Sequence, residues 1–204
     1  MEIENRRKWN ARYSSDEYFF GKEPNEFLKQ EIGKIMPGKI LFVGDGEGRN
    51  SVHAARLGWD VDAIDISDVA KSKALKLADE HNVKVNYIVG DAIERDYEQY
   101  EYDAIAIIYF HVKKEDREEF DKKMINSLKP DGTIIILVYE IEHINNGSGG
   151  PQSEELLYSL SDIAENFIDL EFNLFVKEHF SRVKNNVPQE STVIKFVGKK
   201  PKLS

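Results

Sequence analysis

The chain reads as an α/β protein built on one mostly parallel sheet, and three observations predict it. Short apolar runs alternate with amphipathic helical stretches between positions 39 and 139. The first run breaks directly into a glycine-rich turn, Gly44-Asp45-Gly46-Glu47-Gly48, and the second ends on a carboxylate, Asp65. Strands that alternate with helices wind into a parallel sheet through right-handed crossovers, and ligands then gather at the carboxyl ends of the strands.

The elements follow in order. Residues 3–13 and 24–35 read as helices ahead of the first strand. Lys39-Ile40-Leu41-Phe42-Val43 is the first strand, and after the glycine turn a helical pattern runs from Arg49 through Val52 and Ala55 to a stop at Gly58. Val61-Asp62-Ala63-Ile64-Asp65 is the second strand. Ser67 or Asp68 then caps a helix to about Asn82, with Val69, Ala74, Leu75 and Ala78 near one face. Residues 83–89 form a third strand. Residues 102–109 form a fourth with almost no polar side chain, which suits a central strand covered on both faces. Residues 115–128 are an amphipathic helix closed by Pro130-Asp131-Gly132, and 133–139 are a fifth apolar strand. Beyond this the rhythm changes. A glycine-rich loop at 145–151 leads to a helix expected over 153–166, whose apolar contacts are Leu156, Leu157, Leu160 and Phe167. Two β-rich stretches, 170–182 and 191–197, joined by Asn185-Asn186-Val187-Pro188, predict an antiparallel hairpin at a sheet edge.

The bulk numbers bound the function. A chain of 204 residues fills one core and is short for two. Hydrophobic residues at 41% and charged residues at 32% suit a soluble globular protein. No apolar run is long enough to cross a membrane, and the start of the chain carries no apolar signal segment. The absence of cysteine excludes disulfides, thiolate metal sites and a cysteine nucleophile, and fits the reducing cytoplasm, where the protein is expected to act. A formal net charge of −9 disfavours nucleic acid and anionic lipid as partners. No histidine pair has metal-ligand spacing with a carboxylate, so no metal is expected.

The glycine turn is informative in its detail. Its spacing is G-x-G-x-G, whereas dinucleotide-binding turns carry G-x-G-x-x-G, and the intervening Asp45 and Glu47 are acidic. Two carboxylates repel a pyrophosphate and favour a cationic ligand such as S-adenosylmethionine, which carries a sulfonium and an ammonium. Asp65, 21 residues after Gly44, stands where a carboxylate accepts from ribose hydroxyls. Asp91, after the third strand in Gly90-Asp91-Ala92, is placed to accept from an adenine amino group. Either aspartate alone equally suits a turn cap; the set of acidic positions is what favours the ligand.

These residues resemble the class I S-adenosylmethionine-dependent methyltransferases, over nearly the whole chain. Within them the likeness is to the small tellurite-resistance-methyltransferase-like group. It is carried by Trp9-x-x-x-Tyr13, Phe20-Gly21-x-x-Pro24-Asn25, Gly44-x-Gly46-Glu47-Gly48-Arg49-Asn50, Val61-x-Ala63-Ile64-Asp65-Ile66-Ser67, Gly90-Asp91, Lys129-Pro130-Asp131-Gly132 and Gly147-x-Gly149-Gly150-Pro151. The resemblance implies a Rossmann-like three-layer sandwich whose seven-stranded, mostly parallel sheet has an antiparallel last strand. It implies that Asp65 and Ile66 hold the ribose, Asp91 and Ala92 the adenine, and residues 44–48 with Asn50 the methionyl side, which Tyr109 also faces. Tyr13 and Phe20 are expected at the site, and Trp9 and Phe19 in packing. One position departs from the family: an acidic residue usually stands two before the first glycine, and here it is Phe42. The expected organisation is one domain, 1–204: N-terminal helices and lid at 1–36, a cofactor-binding core at 37–140, and a lid loop, helix and hairpin at 141–204.

The expected activity is methyl transfer to a small molecule such as a thiol or metalloid oxyanion, by a monomer or homodimer. Transfer from a sulfonium relies chiefly on proximity and alignment. Should the acceptor need a base, His111 after the fourth strand is the candidate, against a reading in which it simply bonds backbone. His179 and Arg182 are expected at the surface. The alternatives are a methyltransferase acting on a macromolecule, a protein that binds the adenosyl ligand without turnover, and an NAD-dependent oxidoreductase, which the loop spacing and acidity disfavour.

Overall fold

The computed structural model describes residues 2–145, 149–184 and 187–202. Two helices, α1 (Glu2–Tyr13) and α2 (Glu26–Ile32), precede β1 (Lys39–Val43). Then follow α3 (Arg49–Arg56), β2 (Asp60–Asp65), α4 (Asp68–Glu80), β3 (Asn86–Val89), β4 (Tyr102–Ile108), α5 (Lys114–Ser127) and β5 (Leu128–Tyr139). Short 3-10 turns at Ile141–Asn145 and Glu154–Leu156 lead to α6 (Leu160–Asn166) and the hairpin β6 (Glu171–Lys184) and β7 (Val187–Lys199).

One seven-stranded sheet has the order β3-β2-β1-β4-β5-β7-β6. Strands β1 to β5 pair in parallel, and β7 runs antiparallel to both of its neighbours. The direction of winding reverses between β1 and β4, so the glycine turn after β1 opens at the switch point where such sheets bind ligands. The alternation of β1 explains the layers. Ile40 and Phe42 join Leu28, Val52, Ala63 and Leu77 on one face, while Leu41 and Val43 join Ile105, Phe120, Met124 and Phe196 on the other. Both faces are covered, and the near-continuous apolar sequence of β4 follows from that.

The expected elements stand, with three differences. The helix expected over 153–166 is broken, because Tyr158 is drawn into a bridge with Glu140: its N–H donates to Tyr139 and its carbonyl accepts from Ile141, both at 3.0 Å. The helix restarts at Ser159, which forms a capping box with Asp162. Leu160 faces outward, whereas Leu157 and Phe167 are buried. The third strand begins at Asn86 rather than Val83, since Asn82, at φ 55°, still turns the chain out of α4. Pro130-Asp131-Gly132 does turn the chain, with Asp131 at φ 67°, but it lies within β5 as an irregularity of the ladder between Tyr102 and Ala104. The hairpin lies at the edge as expected, β6 outermost; of its connection, Asn185 and Asn186 lie outside the described residues. Among the described residues, no helix is long and apolar enough to cross a membrane.

Candidate functional site

The turn after β1 is tightly moulded. Gly44, Gly46 and Gly48 have φ of 64°, 65° and 89°, a region that side chains disfavour. A Cβ on Gly44 would also stand 2.4 Å from the Phe110 ring. The Gly44 and Asp45 N–H groups donate to the Ile64 carbonyl at 2.8 and 3.3 Å, which pins the turn to the end of β2.

Asp65 is the hub of this edge. Its carboxylate accepts from the N–H of Gly46 at 3.0 Å and of Ser67 at 2.9 Å, and its carbonyl accepts from the Gly90 N–H at 3.0 Å. One residue thus joins the ends of β1, β2 and β3. Burial pushes its carboxyl up to about 6, against the lowering effect of the Ser67, Gly46 and Ile66 N–H groups. Ile66, half-buried, continues the same turn. Asp91 is also half-buried, but its carboxylate accepts from the Ile93 N–H at 2.9 Å, the turn-capping arrangement. Ala92 is buried beside it, and its carbonyl accepts from the Tyr97 hydroxyl at 2.9 Å.

The two acidic residues of the turn are engaged by protein. Asp45 faces inward, its carboxylate accepting from the Ser51 hydroxyl at 2.5 Å and the Ser51 N–H at 3.3 Å. Burial pushes its carboxyl up to about 7. Glu47 pairs with Lys73 at 2.5 Å and accepts from the Phe19 N–H at 2.7 Å. The charge of Glu47 is therefore balanced within the fold, which corrects the reading of the turn as two free carboxylates repelling phosphate. Asn50, expected at the methionyl side, accepts from the Asn25 N–H at 2.9 Å and anchors the start of α2. Phe42 is buried in the core between the sheet and α2, α3 and α4. Both oxygens of Asp45, expected in the cofactor turn, accept from Ser51.

The N-terminal aromatics divide differently from expectation. Tyr13, 4% exposed, seals the turn: its hydroxyl lies 3.0 Å from where a Cβ on Gly46 would stand, and Trp9 stacks on it at 5.5 Å. Burial first, then the Asp65, Glu47 and Asp45 carboxylates, raise its hydroxyl well above the usual phenol range. Phe20 is half exposed and sits by the guanidinium of Arg49, 5.6 Å away, at the end of the glycine turn. Phe19 is equally exposed, against the expectation that it packs, because Phe20 is its edge-on ring partner.

After β4, Tyr109 takes a left-handed backbone, φ 58°, held by its N–H to the Leu137 carbonyl at 2.7 Å. Its ring meets Tyr139 at 4.9 Å. His111 also stacks on Tyr139, at 5.5 Å, and its Nε2 accepts from the Tyr139 N–H at 3.0 Å. Burial brings its imidazole down to about 3, although a backbone bond to Tyr109 opposes the shift. Both sides of the ring are thus bound by backbone, so the geometry favours the structural reading of His111 over the base. His143 is fully buried, stacked on Tyr139 at 4.0 Å, with Nε2 2.7 Å from the Gly149 carbonyl. Of the glycine-rich loop, Asn146, Gly147 and Ser148 lie outside the described residues. His179 is exposed as expected, and the Arg182 side chain lies outside the described ones.

Three residues that shape the site escaped the sequence reading. The Tyr87 hydroxyl, from β3, donates to the Gly46 carbonyl at 2.6 Å, Ser51 holds Asp45, and Lys73 of α4 pairs with Glu47. Tyr87 has a weak signal, an aromatic at an inward strand position; Lys73, lying among Lys71 and Lys76, has none.

The edge fits an adenosyl ligand in its donor set. A carboxylate offers about four lone-pair directions, and the Gly46, Ser67 and Ile66 N–H groups leave Asp65 one for a ribose hydroxyl. Gly46 lies directly under the Tyr13 hydroxyl, which covers the turn at this point. The missing acid at Phe42 is the one element that does not fit.

Residues 40–132 match the family described as a methyltransferase domain. A ubiquinone biosynthesis O-methyltransferase of Rickettsia bellii is 31% identical over 111 residues, 54% of this chain and 46% of that protein. Norajmaline N-methyltransferase of Rauvolfia serpentina is 27% identical over 131 residues, 62% of this chain and 45% of that protein. The chain thus spans about half the length of the curated relatives it matches. Among solved structures, TehB from Haemophilus influenzae superposes with a TM-score of 0.76 at 17% identity, over 96% of this chain and 67% of that one, a shared fold. Residues 40–132 of this chain are thus similar in sequence to a methyltransferase domain, and the chain as a whole shares the fold of TehB.

Proposed function

We propose that this protein transfers the methyl group of S-adenosylmethionine to a small-molecule acceptor in the cytoplasm. The observation that carries the reading is Asp65, whose carboxylate stands at the meeting of three strand ends with N–H donors already orienting it. S-adenosylmethionine supplies an activated methyl carbon on its sulfonium. The chain's contribution is placement. Asp65 accepts from the ribose, the Gly90-Asp91-Ala92 turn borders the adenine, and the turn at 44–48 approaches the methionyl side under Tyr13.

The acceptor enters beside Tyr109 and Tyr139. His111 has both ring nitrogens engaged by backbone, so the proposal puts no base there. An acceptor that is already nucleophilic near neutral pH, such as a thiolate or a reduced metalloid species, suits this arrangement. The names of the relatives, a quinone-pathway O-methyltransferase and an alkaloid N-methyltransferase, also favour a small acceptor. A second reading is binding without turnover, which Phe42 favours by removing the usual acidic partner of the methionyl ammonium.

Calorimetric titration with S-adenosylmethionine and S-adenosylhomocysteine, with NAD as control, tests the cofactor. Micromolar binding lost in Asp65→Ala is the expected result, and binding of NAD alone overturns it. Transfer of labelled methyl to a thiol and metalloid panel then separates an enzyme from a binding protein.

A further inference from the structure

Residues 14–19, Ser-Ser-Asp-Glu-Tyr-Phe, are polar in their first four positions and have no helix or strand of their own. Their backbone therefore needs partners from elsewhere. Two of its carbonyls find theirs on one side chain. The Lys73 ammonium donates to the carbonyls of Ser15 at 2.8 Å and Glu17 at 2.7 Å, with the Tyr13 carbonyl at 3.4 Å. It pairs with Glu47 at 2.5 Å and lies 4.9 Å from the Tyr18 ring centre. Glu47 completes the arrangement by accepting from the Phe19 N–H, and the Tyr18 hydroxyl donates to the Lys73 carbonyl at 2.9 Å. The Lys73 side chain is 13% exposed and that of Glu47 only 3%. These bonds are charge-assisted and shielded from water, which makes them stronger than ordinary surface contacts.

The position of this cluster matters more than its strength. Glu47 belongs to the glycine turn, Lys73 to α4, and the segment they hold carries Tyr13, which covers Gly46. A ligand lying along the turn can enter or leave only when Tyr13 moves, and Tyr13 is tied through its own carbonyl to Lys73. We propose that Lys73 and Glu47 form the latch of a lid, residues 2–19, that closes over the cofactor edge. Lys73 is thus a positioning residue that sets the rate of cofactor exchange. The proposal deepens the methyltransferase reading and rests on it for the identity of the ligand, but the latch itself is a property of the free protein.

The test compares wild type with Lys73→Met and Lys73→Arg. Hydrogen exchange of amides 13–19 is followed in the free protein, and S-adenosylhomocysteine association and dissociation by stopped flow, with Trp9 beside Tyr13 as the fluorophore. In Lys73→Met the amides exchange about 10-fold faster or more, and the ligand dissociates faster by a similar factor, while association is unchanged or faster. Lys73→Arg restores most of both. A role confined to general stability predicts instead faster exchange throughout the chain, not focused on 13–19, with association and dissociation unaltered, and that result overturns the latch. If the unpaired Glu47 prevents folding, the double variant Lys73→Met with Glu47→Gln removes the buried charge and gives the same readouts. Failure of wild type to bind S-adenosylhomocysteine overturns the functional reading alone, and the exchange data still decide the latch.

Discussion

The Tyr13 hydroxyl lies over Gly46, 3.0 Å from the point where a side chain on that glycine would begin, so the lid and the ligand turn are in direct contact. Two independent costs meet at that glycine: a φ of 65° that L side chains disfavour, and the Tyr13 oxygen.

Gly46→Ala separates them. The left-handed backbone costs about 1–2 kcal/mol for a residue with a Cβ, and the hydroxyl contact adds to it. Adding Tyr13→Phe removes the hydroxyl and leaves the ring carbon at 3.5 Å, an ordinary contact. The double variant therefore recovers the contact cost and keeps the backbone cost. Urea unfolding of the four proteins as a mutant cycle measures this coupling, and additive effects would show that the lid is not seated on the turn.

Asp65 links pH to cofactor affinity. Its carboxyl is held up at about 6 by burial, and a protonated acid is a poorer acceptor for a ribose hydroxyl. Affinity for S-adenosylmethionine is expected to be level above about pH 7 and to fall below 6, approaching about tenfold per pH unit. Asp65→Asn has one acceptor oxygen for the Gly46 and Ser67 N–H groups, so its affinity drops by about 10-fold or more and this pH slope disappears. Calorimetry between pH 5 and 8 reads both effects.

The sheet was legible because its signals are local. Apolar runs of strand length, the glycine turn, the Ser67 cap and the antiparallel hairpin each follow from neighbours in sequence. The break at Tyr158 was not, because it depends on pairing with Glu140, a partner on another element. The same divide runs through the site. Gly44, Gly46, Gly48 and Asp65 stand at strand ends, where topology alone places them. Glu47 was read by its charge, and only the fold brings Lys73 against it from 26 residues away. Tyr13 was placed by family likeness; its burial over Gly46 needed the packing of α1 against α4, through Asn10 to Ser67 and Asp68. His111 illustrates the limit: a histidine after β4 has the position of a base, and only the fold shows that the Tyr139 N–H occupies its Nε2.

Arg117 is expected to be the most sensitive surface-distant cation. Its side chain is 3% exposed, pairs with Asp162 at 2.9 Å, and donates to the carbonyls of Val112, Glu155 and Leu157 while stacking on Tyr158 at 3.7 Å. It ties the segment after β4 to the start of α6. Arg117→Met leaves those carbonyls without donors and is expected to cost about 3–5 kcal/mol in denaturant unfolding. Arg117→Lys recovers a minor part, since an ammonium cannot stack and reach several carbonyls at once.

Asp121 sets a pH dependence of stability away from the site. Burial pushes its carboxyl up to about 7, although the Asn166 amide, donating at 2.7 Å, opposes the shift. The folded state then binds a proton more tightly than the unfolded chain, whose aspartates titrate near 4. Its contribution is fully present below about pH 4 and is lost as pH rises towards 7, at up to about 1.4 kcal/mol per pH unit. Asp121→Asn keeps an acceptor for Asn166 and carries no charge. The variant should match wild type at pH 4 and exceed it progressively between pH 4 and 7, with a constant gap at pH 8. Asp45 and Asp65 titrate in the same window in both proteins, so the quantity to follow is the difference between the two stability curves. An equal gap at pH 4 and pH 8 would mean that the Asp121 carboxylate is ionised throughout, held by Arg117, and that burial does not control it.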